Sequence, residues 1–389
     1  MGEQLSGTIL FLLSTAIIVY VVFGYPLLAA LAARRPRPVR KERRPRKVTV
    51  LMPVRNGEPW IRAKLDSLLR LDYPRELLQI IVISDGSTDL TDEIVEEYAA
   101  DEVQLIRIAH SGKAVALNAG MARARGEILF FTDVRQPLDP ACLWRLVENF
   151  ADPSVGVVSG DLIIRDRQTS EHTHVGLYWR YEKWIRDRLS AIDSVLGATG
   201  CCYAMRRRLA VPLPPGTLLD DVYLPLAAFF RGYRVIVERE AKAYDDPANL
   251  RSEFLRKVRT LAGVYQIVRA YPALLSPANR MWIHFVSHKI GRLLLPHALI
   301  VMAVATYGLP GLWREAAFGA QGLLYLSSGL DRWVPESWVL KPATSAARTF
   351  VVLMTAAFCA VPSFMFGGLD LWTDTRIRAT ARQAEAHVK

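Results

Sequence analysis

Residues 47–98 read KVTVLMPVRNGEPWIRAKLDSLLRLDYPRELLQIIVISDGSTDLTDEIVEEY. Two nearly unbroken apolar runs, Val48–Val54 and Gln79–Ser84, each end in a glycine-bearing turn and give way to a stretch with apolar residues at helical spacing. A strand that is apolar along its whole length must be covered on both faces. In a chain that alternates strand and helix, this means a parallel sheet flanked by helices. The first unit pairs Val48–Val54 with Glu58–Arg70, and the second pairs Gln79–Ser84 with Asp89–Ala100. The alternation continues through Val103–Ile108 with Gly112–Arg125 and Glu127–Thr132 with Pro140–Phe150. The expected fold is a doubly wound α/β domain over 48–250, whose ligands sit beyond the carboxyl ends of the strands.

Beyond this core the pattern is mixed. Val155–Ser159 and Tyr233–Val237 read as strands, Leu219–Arg231 as a helix, and Gly197–Gly200 as a loop, with a long aromatic stretch at Tyr178–Leu189. Arg251–Ala270 is basic and amphipathic, which suits a helix at a membrane interface, and the interfacial region is taken as 251–292.

The 389 residues carry 51% hydrophobic side chains and a net charge of +11, and the apolar excess lies at the two ends. No charge occurs between Glu3 and Arg34, so residues 5–33 read as one helix long enough for a hydrocarbon core of about 30 Å. A cleaved signal peptide is the alternative, disfavoured by the overlong apolar run and by the absence of an N-terminal positive charge. The stretch 34–47 holds Arg34, Arg35, Arg37, Arg40, Lys41, Arg43, Arg44, Arg46 and Lys47 against one acid, Glu42. By the positive-inside rule this side, and the α/β domain with it, faces the cytosol of a multi-pass inner-membrane protein. The charge is attributed to topology and anionic lipid, and a nucleic-acid partner is not expected because no aromatics interleave with the run.

In the C-terminal region 293–369, Leu293–Gly308 and Thr349–Phe366 are apolar enough to span and Ala316–Leu330 is weaker, giving two or three crossings before a tail at 370–389. Pro296 and Gly308-Leu309-Pro310-Gly311 are expected to break the first of these helices. His284 and His288 stand at i, i+4 spacing with no acid beside them in sequence, and read as part of a lipid-interface helix rather than a metal site. Cys142, Cys201, Cys202 and Cys359 form no C-x-x-C pair and fit reduced thiols.

Acids cluster at the predicted strand ends: Asp85 and Asp89, Asp133, Asp161, and Asp220-Asp221. Asp89 reads as the cap of a following helix. The segments around the others resemble the family 2 glycosyltransferases of the GT-A fold, a Rossmann-like nucleotide-sugar domain. The resemblance is carried by Val48–Glu58, Asp85-Gly86-Ser87-Thr88-Asp89, Gly112-Lys113-Ala114 with Asn118, Phe131-Thr132-Asp133, Gly197-Ala198-Thr199-Gly200 and Leu219-Asp220-Asp221, in order along the chain. It extends to bacterial polysaccharide synthase-like and cellulose synthase-like members.

The resemblance implies that Pro53, Arg55, Glu58 and Lys113 line the nucleotide pocket and that Asp85 accepts a hydrogen bond from the base. It implies that Asp133, the first acid of a D-x-D type motif, meets the ribose and a Mg²⁺ or Mn²⁺ ion on the diphosphate, an ion that offsets charge on the leaving group. Arg135 stands in place of the second acid, so either Asp133 holds the metal with the phosphates and another acid, the favoured reading, or Arg135 itself offsets part of the charge. The resemblance further makes Asp221 the general base of a single displacement, with Asp220 and Gly200 beside the acceptor. Arg256-Lys257-Val258-Arg259 resembles the Q/R-x-x-R-W element that helps hold the diphosphate, with Thr260 in the tryptophan position and an aromatic sugar platform therefore missing.

His110-Ser111-Gly112-Lys113 is not a phosphate-binding P-loop, since Ala114 replaces the required Ser/Thr, and no G-x-G-x-x-G follows the first strand. The expected activity is transfer of a sugar from a nucleotide donor, a uridine diphosphate sugar, to a lipid-linked or glycan acceptor. A processive synthase working with a partner subunit or as a homo-oligomer is one alternative, and a catalytically idle nucleotide-sugar scaffold another.

Overall fold

The computed structural model describes residues 2–164, 172–246 and 250–366, so the expected tail at 370–389 lies outside the described residues. The chain divides into two units. Among the described residues, an α/β unit holds 35–164 and 189–246, and an apolar helical unit holds 2–34, 172–188 and 250–366. The division falls inside the helix His172–Ile192.

The α/β unit is built on a seven-stranded sheet of β1 (Val48–Val54), β2 (Leu78–Asp85), β3 (Val103–Ile108), β4 (Ile128–Phe131), β5 (Val155–Ile164), β6 (Tyr203–Arg206) and β7 (Arg234–Asp245), in the order β3-β2-β1-β4-β6-β5-β7. The four strands read from the alternation are parallel to one another, and β1 is buried along nearly its whole length, as its composition requires. Ile61, Leu65 and Leu68 of the helix Glu58–Leu69 seal one face against Val50 and Met52.

Three strands depart from the sequence reading, β5 by running on to Ile164, five residues past Ser159. β6, only four residues long, runs antiparallel to both β4 and β5 and gave no periodicity of its own. β7 runs eight residues past Val237, because Lys242–Asp245 pair with Asp161–Ile164 beyond a register shift. That half reads VEREAKAYD, alternating buried and wet as an edge strand does, so its charges masked it.

The basic run at 34–47 is largely folded onto the α/β unit. Arg37 pairs with Asp193 at 2.8 Å, Arg43 with Asp72 at 3.2 Å, Arg46 with Glu127 at 3.6 Å, and Lys41 with Glu238. Exposed pairs of this kind contribute about 0–1 kcal/mol each. The firmer tether is Arg234, 1% exposed, whose guanidinium donates to the carbonyls of Arg37 (3.1 Å), Pro38 (3.2 Å), Ser190 (3.0 Å) and Asp193 (3.0 Å).

In the helical unit, Gln4–Ala32, Trp282–Gly308 and Lys341–Met365 are long and apolar enough to cross a membrane. Pro296 does not break the second: Gly291–Ala305 continues through it, following a wider π-type turn at Phe285–Ile290, while Pro310 does stand at a helix boundary. His284 and His288 are also not isolated from acids. The Tyr25 hydroxyl meets His284 Nδ1 at 3.2 Å, and Glu182 reaches His288 Nε2 at 3.5 Å and Arg292 at 2.7 Å from a helix remote in sequence.

Replacing Arg234 with Met strands four backbone carbonyls that a buried guanidinium now satisfies. Thermal unfolding of the purified variant is expected to show a loss of about 2–4 kcal/mol, and an unchanged midpoint would show that the basic run holds by its surface pairs alone.

Candidate active site

Three loops converge beyond the carboxyl ends of β1, β2 and β4. Asn56, in the left-handed region at φ 52°, accepts the Thr88 N–H at 2.8 Å and gives its own N–H to Ser87 Oγ at 3.1 Å. Gly57 N–H reaches Thr91 Oγ1 at 2.8 Å, and Asp89 takes the N–H groups of Thr91 and Glu58, both at 3.1 Å. Asp89 thus caps the turn before the helix Thr91–Glu96. Glu58 returns the bond by accepting the Leu90 N–H at 3.3 Å.

Asp85 ends β2 with its carboxylate already partly satisfied. Ser111 N–H reaches Oδ1 at 2.7 Å, Gly112 N–H reaches Oδ2 at 3.0 Å, and His110 Nδ1 lies 3.0 Å from Oδ2. His110 Nε2 contacts Arg55 Nη1. A guanidinium only donates, so Nε2 accepts and the proton sits on Nδ1, directed at Asp85. A carboxylate offers about four lone-pair positions, so one remains for a ligand N–H. Gly86, at φ 65°, lets this loop close on His110, whose amide nitrogen would lie 2.8 Å from any Cβ added there.

Lys113, at the start of the helix Lys113–Arg123, places its ammonium 3.1 Å from Asp133 Oδ1 and 3.2 Å from Asp220 Oδ1. Burial alone would lower its pKa, but Asp133, Asp220 and Asp221 outweigh that and raise it, so it stays charged. Asp133 follows β4 with its side chain 38% exposed, whereas that of Asp220 is 6% exposed. Asp220 and Asp221 open the helix Asp220–Phe230, where negative charge is favoured by the helix dipole. Pro225 in that helix has no N–H for the Asp221 carbonyl, which instead accepts the Ala198 N–H at 2.7 Å from the Gly197–Gly200 loop. The same loop lies against the Asp221 side chain: a Cβ on Gly200 would stand 2.9 Å from Asp221 Oδ2.

Arg135 does not face this cluster as a free cation. It pairs with Asp245 at 2.8 Å, and Gln136 Nε2 donates to the same Asp245 oxygen at 2.9 Å. Beneath the floor, Lys64 Nζ donates to Thr132 Oγ1 at 2.7 Å and to the Gln136 carbonyl, and burial pulls its pKa down to about 8. Asp161 lies 3.5 Å from Arg239 rather than on the lysine bridge.

Asp85, Lys113, Asp133, Asp220, Asp221, Gly200, Pro53, Arg55 and Glu58 therefore all belong to the α/β unit, and Lys113 bridges Asp133 and Asp220. Arg256 and Arg259 lie on the helix Leu250–Ala270 of the other unit.

Sequence reasoning missed Tyr203, His110, Lys64 and Asp245. Lys64 carried a signal, since it falls on the same helix face as Ile61, Leu65 and Leu68. Tyr203 is fully buried, stacked on Phe131 with ring centroids 4.5 Å apart, and its hydroxyl has no hydrogen-bond partner among the described residues. Burial, with Asp220, Asp221 and Asp133 nearby, holds that hydroxyl well above its ordinary pKa.

The donor set suits a hard divalent cation only in part. No group of three or more His, Cys, Asp or Glu side chains in ligand arrangement occurs among the described residues. Asp133 presents an accessible carboxylate at the cluster, with Asp221 likewise half-buried, and Mg²⁺ or Mn²⁺ commonly binds through one or two carboxylates with substrate phosphates and water completing the shell. The Lys113 ammonium between two carboxylates shows that the position accommodates positive charge.

Residues 49–211 match the family described as Glycosyl transferase family 2. Among curated proteins, a probable glycosyltransferase, YdaM, of Bacillus subtilis is 30% identical over 204 residues, covering 49% of this chain and 48% of that protein. A poly-beta-1,6-N-acetyl-D-glucosamine synthase of Staphylococcus aureus is 30% identical over 237 residues, covering 57% of this chain and 55% of that one. The chain thus spans about half the length of these curated relatives. Among solved structures, the mannosyltransferase PcManGT of Pyrobaculum calidifontis, in complex with GDP-Man and Mn²⁺, superposes with a TM-score of 0.73 at 23% identity over 92% of this chain and 100% of that one. The shared fold is GT-A.

Tyr203→Phe removes a buried hydroxyl that makes no bond. Unfolding is expected to show equal or greater stability, by up to about 1–3 kcal/mol, and a clear loss would reveal a partner for that hydroxyl.

Proposed function

We propose that this chain, whose residues 49–211 form a glycosyl transferase family 2 domain, is an inverting, membrane-bound glycosyltransferase that moves a sugar from a nucleoside diphosphate, a uridine donor, to a lipid-linked or polysaccharide acceptor. The observation that carries the reading is the meeting of Asp133, Asp220 and Lys113 with Asp221 alongside. An inverting transfer needs an electropositive place for a leaving diphosphate and one carboxylate to take a proton from the acceptor hydroxyl.

In this reading the base stacks beyond β2, where the free lone pair of Asp85 accepts its N–H and Arg55, held by His110, faces the ribose-phosphate side. Asp85 is oriented by two backbone N–H groups, so reading the base costs little reorganisation. Asp133 would hold Mg²⁺ or Mn²⁺ through its exposed carboxylate, and the ion would offset charge on the diphosphate. Mn²⁺ accompanies GDP-Man in the PcManGT complex. Lys113, charged and tied to Asp133 and Asp220, keeps both carboxylates from repelling the approaching donor.

Arg135 has its charge balanced by Asp245, so it is not proposed to stand in for a metal. Asp221 takes the acceptor proton. Its main chain is fixed by Ala198 and its carboxylate lies against Gly200, which leaves the hydroxyl-facing side clear of any Cβ.

Three helices able to cross a membrane, with basic residues following the first, support a cytosolic α/β unit and an acceptor delivered from the inner leaflet. Arg256 and Arg259 are proposed to engage the diphosphate or a phosphorylated acceptor. Synthases of poly-beta-1,6-N-acetyl-D-glucosamine are among the relatives, which supports a glycan product. Assembly with a partner subunit or a second copy would serve any export.

Asp221→Asn should lower sugar incorporation by membranes given radiolabelled nucleotide sugars by about 10²–10⁴-fold while leaving donor binding within a few-fold. Equal incorporation would remove Asp221 as the base. Gly200→Ala pushes only the end of one side chain, so the protein should fold normally yet lose at least about tenfold in kcat, corresponding to about 1.4 kcal/mol of barrier; full activity would show that the Asp221 carboxylate does not act from its present position.

A further inference from the structure

The sequence leaves Ala316–Leu330 as a weak third C-terminal crossing, and the packing of the helical unit decides the matter. The helices Gln4–Ala32 and Trp282–Gly308 run antiparallel. Gly7 and Gly308 touch backbone to backbone, a Cβ on either standing 2.8 Å from the other's Cα, while Tyr20 meets Ser287 at 2.7 Å and Tyr25 meets His284 at 3.2 Å. The helix Lys341–Met365 packs on the second, Met354 clustering with Leu295 and Leu299, and its far end returns to the chain that leads into Trp282: Phe364 stacks on Tyr265 of the helix Leu250–Ala270 with centroids 5.5 Å apart, so these two spans run antiparallel. Gly308 and Lys341 therefore end at one face of the bundle, and Ala32, Trp282 and Met365 at the other.

Gly311–Leu330 is a helix of 20 residues, about 30 Å long. It starts three residues after Gly308, a reach of about 10 Å at most. Partway along it, Phe318 packs on Tyr307 with centroids 5.0 Å apart and Gln321 donates to Thr306 at 2.9 Å. At its far end Asp331, fully buried, accepts from Thr344 (2.7 Å) and Ser345 (2.6 Å) and pairs with Lys341 (3.3 Å) and Arg348 (3.3 Å). Both ends of the helix are thus fastened to the same face of the bundle. A crossing helix would have to put Asp331 beside the opposite ends of its neighbours.

We infer that Gly311–Leu330 lies in the plane of the membrane surface at the Gly308/Lys341 face, with the lipid–water boundary as its partner. This rests on the proposed membrane-spanning reading. Leu312 (83% exposed), Trp313 (73%), Leu323 (69%) and Leu326 (65%) show apolar side chains to the surroundings, and Trp333 (61%) and Val339 (95%) continue the patch. No residue of the helix is buried. Tryptophan beside a charged pair, here Arg314 with Glu315 at 3.5 Å, suits the headgroup level, where an indole keeps its ring in the acyl region and its N–H wet. The surface is continuous with the outward-facing apolar side chains of the spans, such as Val304. The helical unit then crosses three times, and the end of the third span faces the same side as the segment between the first and second.

Single cysteines test this in the full chain, in vesicles of known orientation, with a membrane-impermeant maleimide. The native Cys142, Cys201 and Cys202 are buried and Cys359 is half-buried, so the unmodified chain serves as the blank. Ala278→Cys should label from one side only, and Ala320→Cys and Val339→Cys from the opposite side only. Val339→Cys labelling from the Ala278 side would mean that Gly311–Leu330 crosses, overturning the inference while leaving the spanning reading intact. Labelling of all three from both sides would remove the spanning reading itself. A nitroxide at Leu312→Cys should collide at least several-fold more with oxygen than with a water-soluble nickel chelate, and the reverse preference would overturn lipid contact.

Discussion

The ammonium of Lys113, held between Asp133 and Asp220, is the interaction around which the α/β unit is organised. Three carboxylates gathered in a half-buried place repel one another and lose hydration, so their approach needs an internal cation. The lysine supplies it, and the acids in turn keep the lysine charged. Its two partners come from the end of β4 and from the start of a helix far later in the chain, so the cluster exists only in the folded sheet. A lysine also differs from a fixed metal ion: its flexible stem lets it follow the carboxylates as a diphosphate or cation enters.

Around that cluster, small backbone devices do the positioning. Pro225 frees the Asp221 carbonyl for Ala198, Gly200 leaves room for the Asp221 carboxylate, and the Arg55–His110–Asp85 chain fixes the opposite end of the cleft. Each is a local rule broken or a small residue required, and each lies at a strand end where open α/β sheets place their ligands.

The first half of the fold was legible because three of its four parallel strands are nearly continuous in apolar residues, the edge strand β3 alternates, and amphipathic helices separate them, a pattern that depends on composition alone. The second half was not. β6 is too short for a period to register, and β7 carries its charges outward along an edge. At the site, the acids were visible at predicted strand ends, but their common partner was not, since nothing in the sequence says that Lys113 reaches both Asp133 and Asp220. Tyr203 was hidden for a similar reason: its place beside the cluster follows from the antiparallel register of β6 on β4, which pairs it with Phe131. The basic segment shows the reverse case. Its charges were read as facing lipid, and many turn out to be paired with acids of the folded domain because Arg234 binds its backbone there.

The central claim is a single displacement carried out at this cluster. It is tested most directly by supplying membranes containing the chain with nucleotide sugars of defined anomeric configuration and determining the configuration of the new glycosidic bond by NMR. The account predicts a product of inverted configuration whose formation requires a divalent cation. A product that keeps the donor's configuration would contradict it.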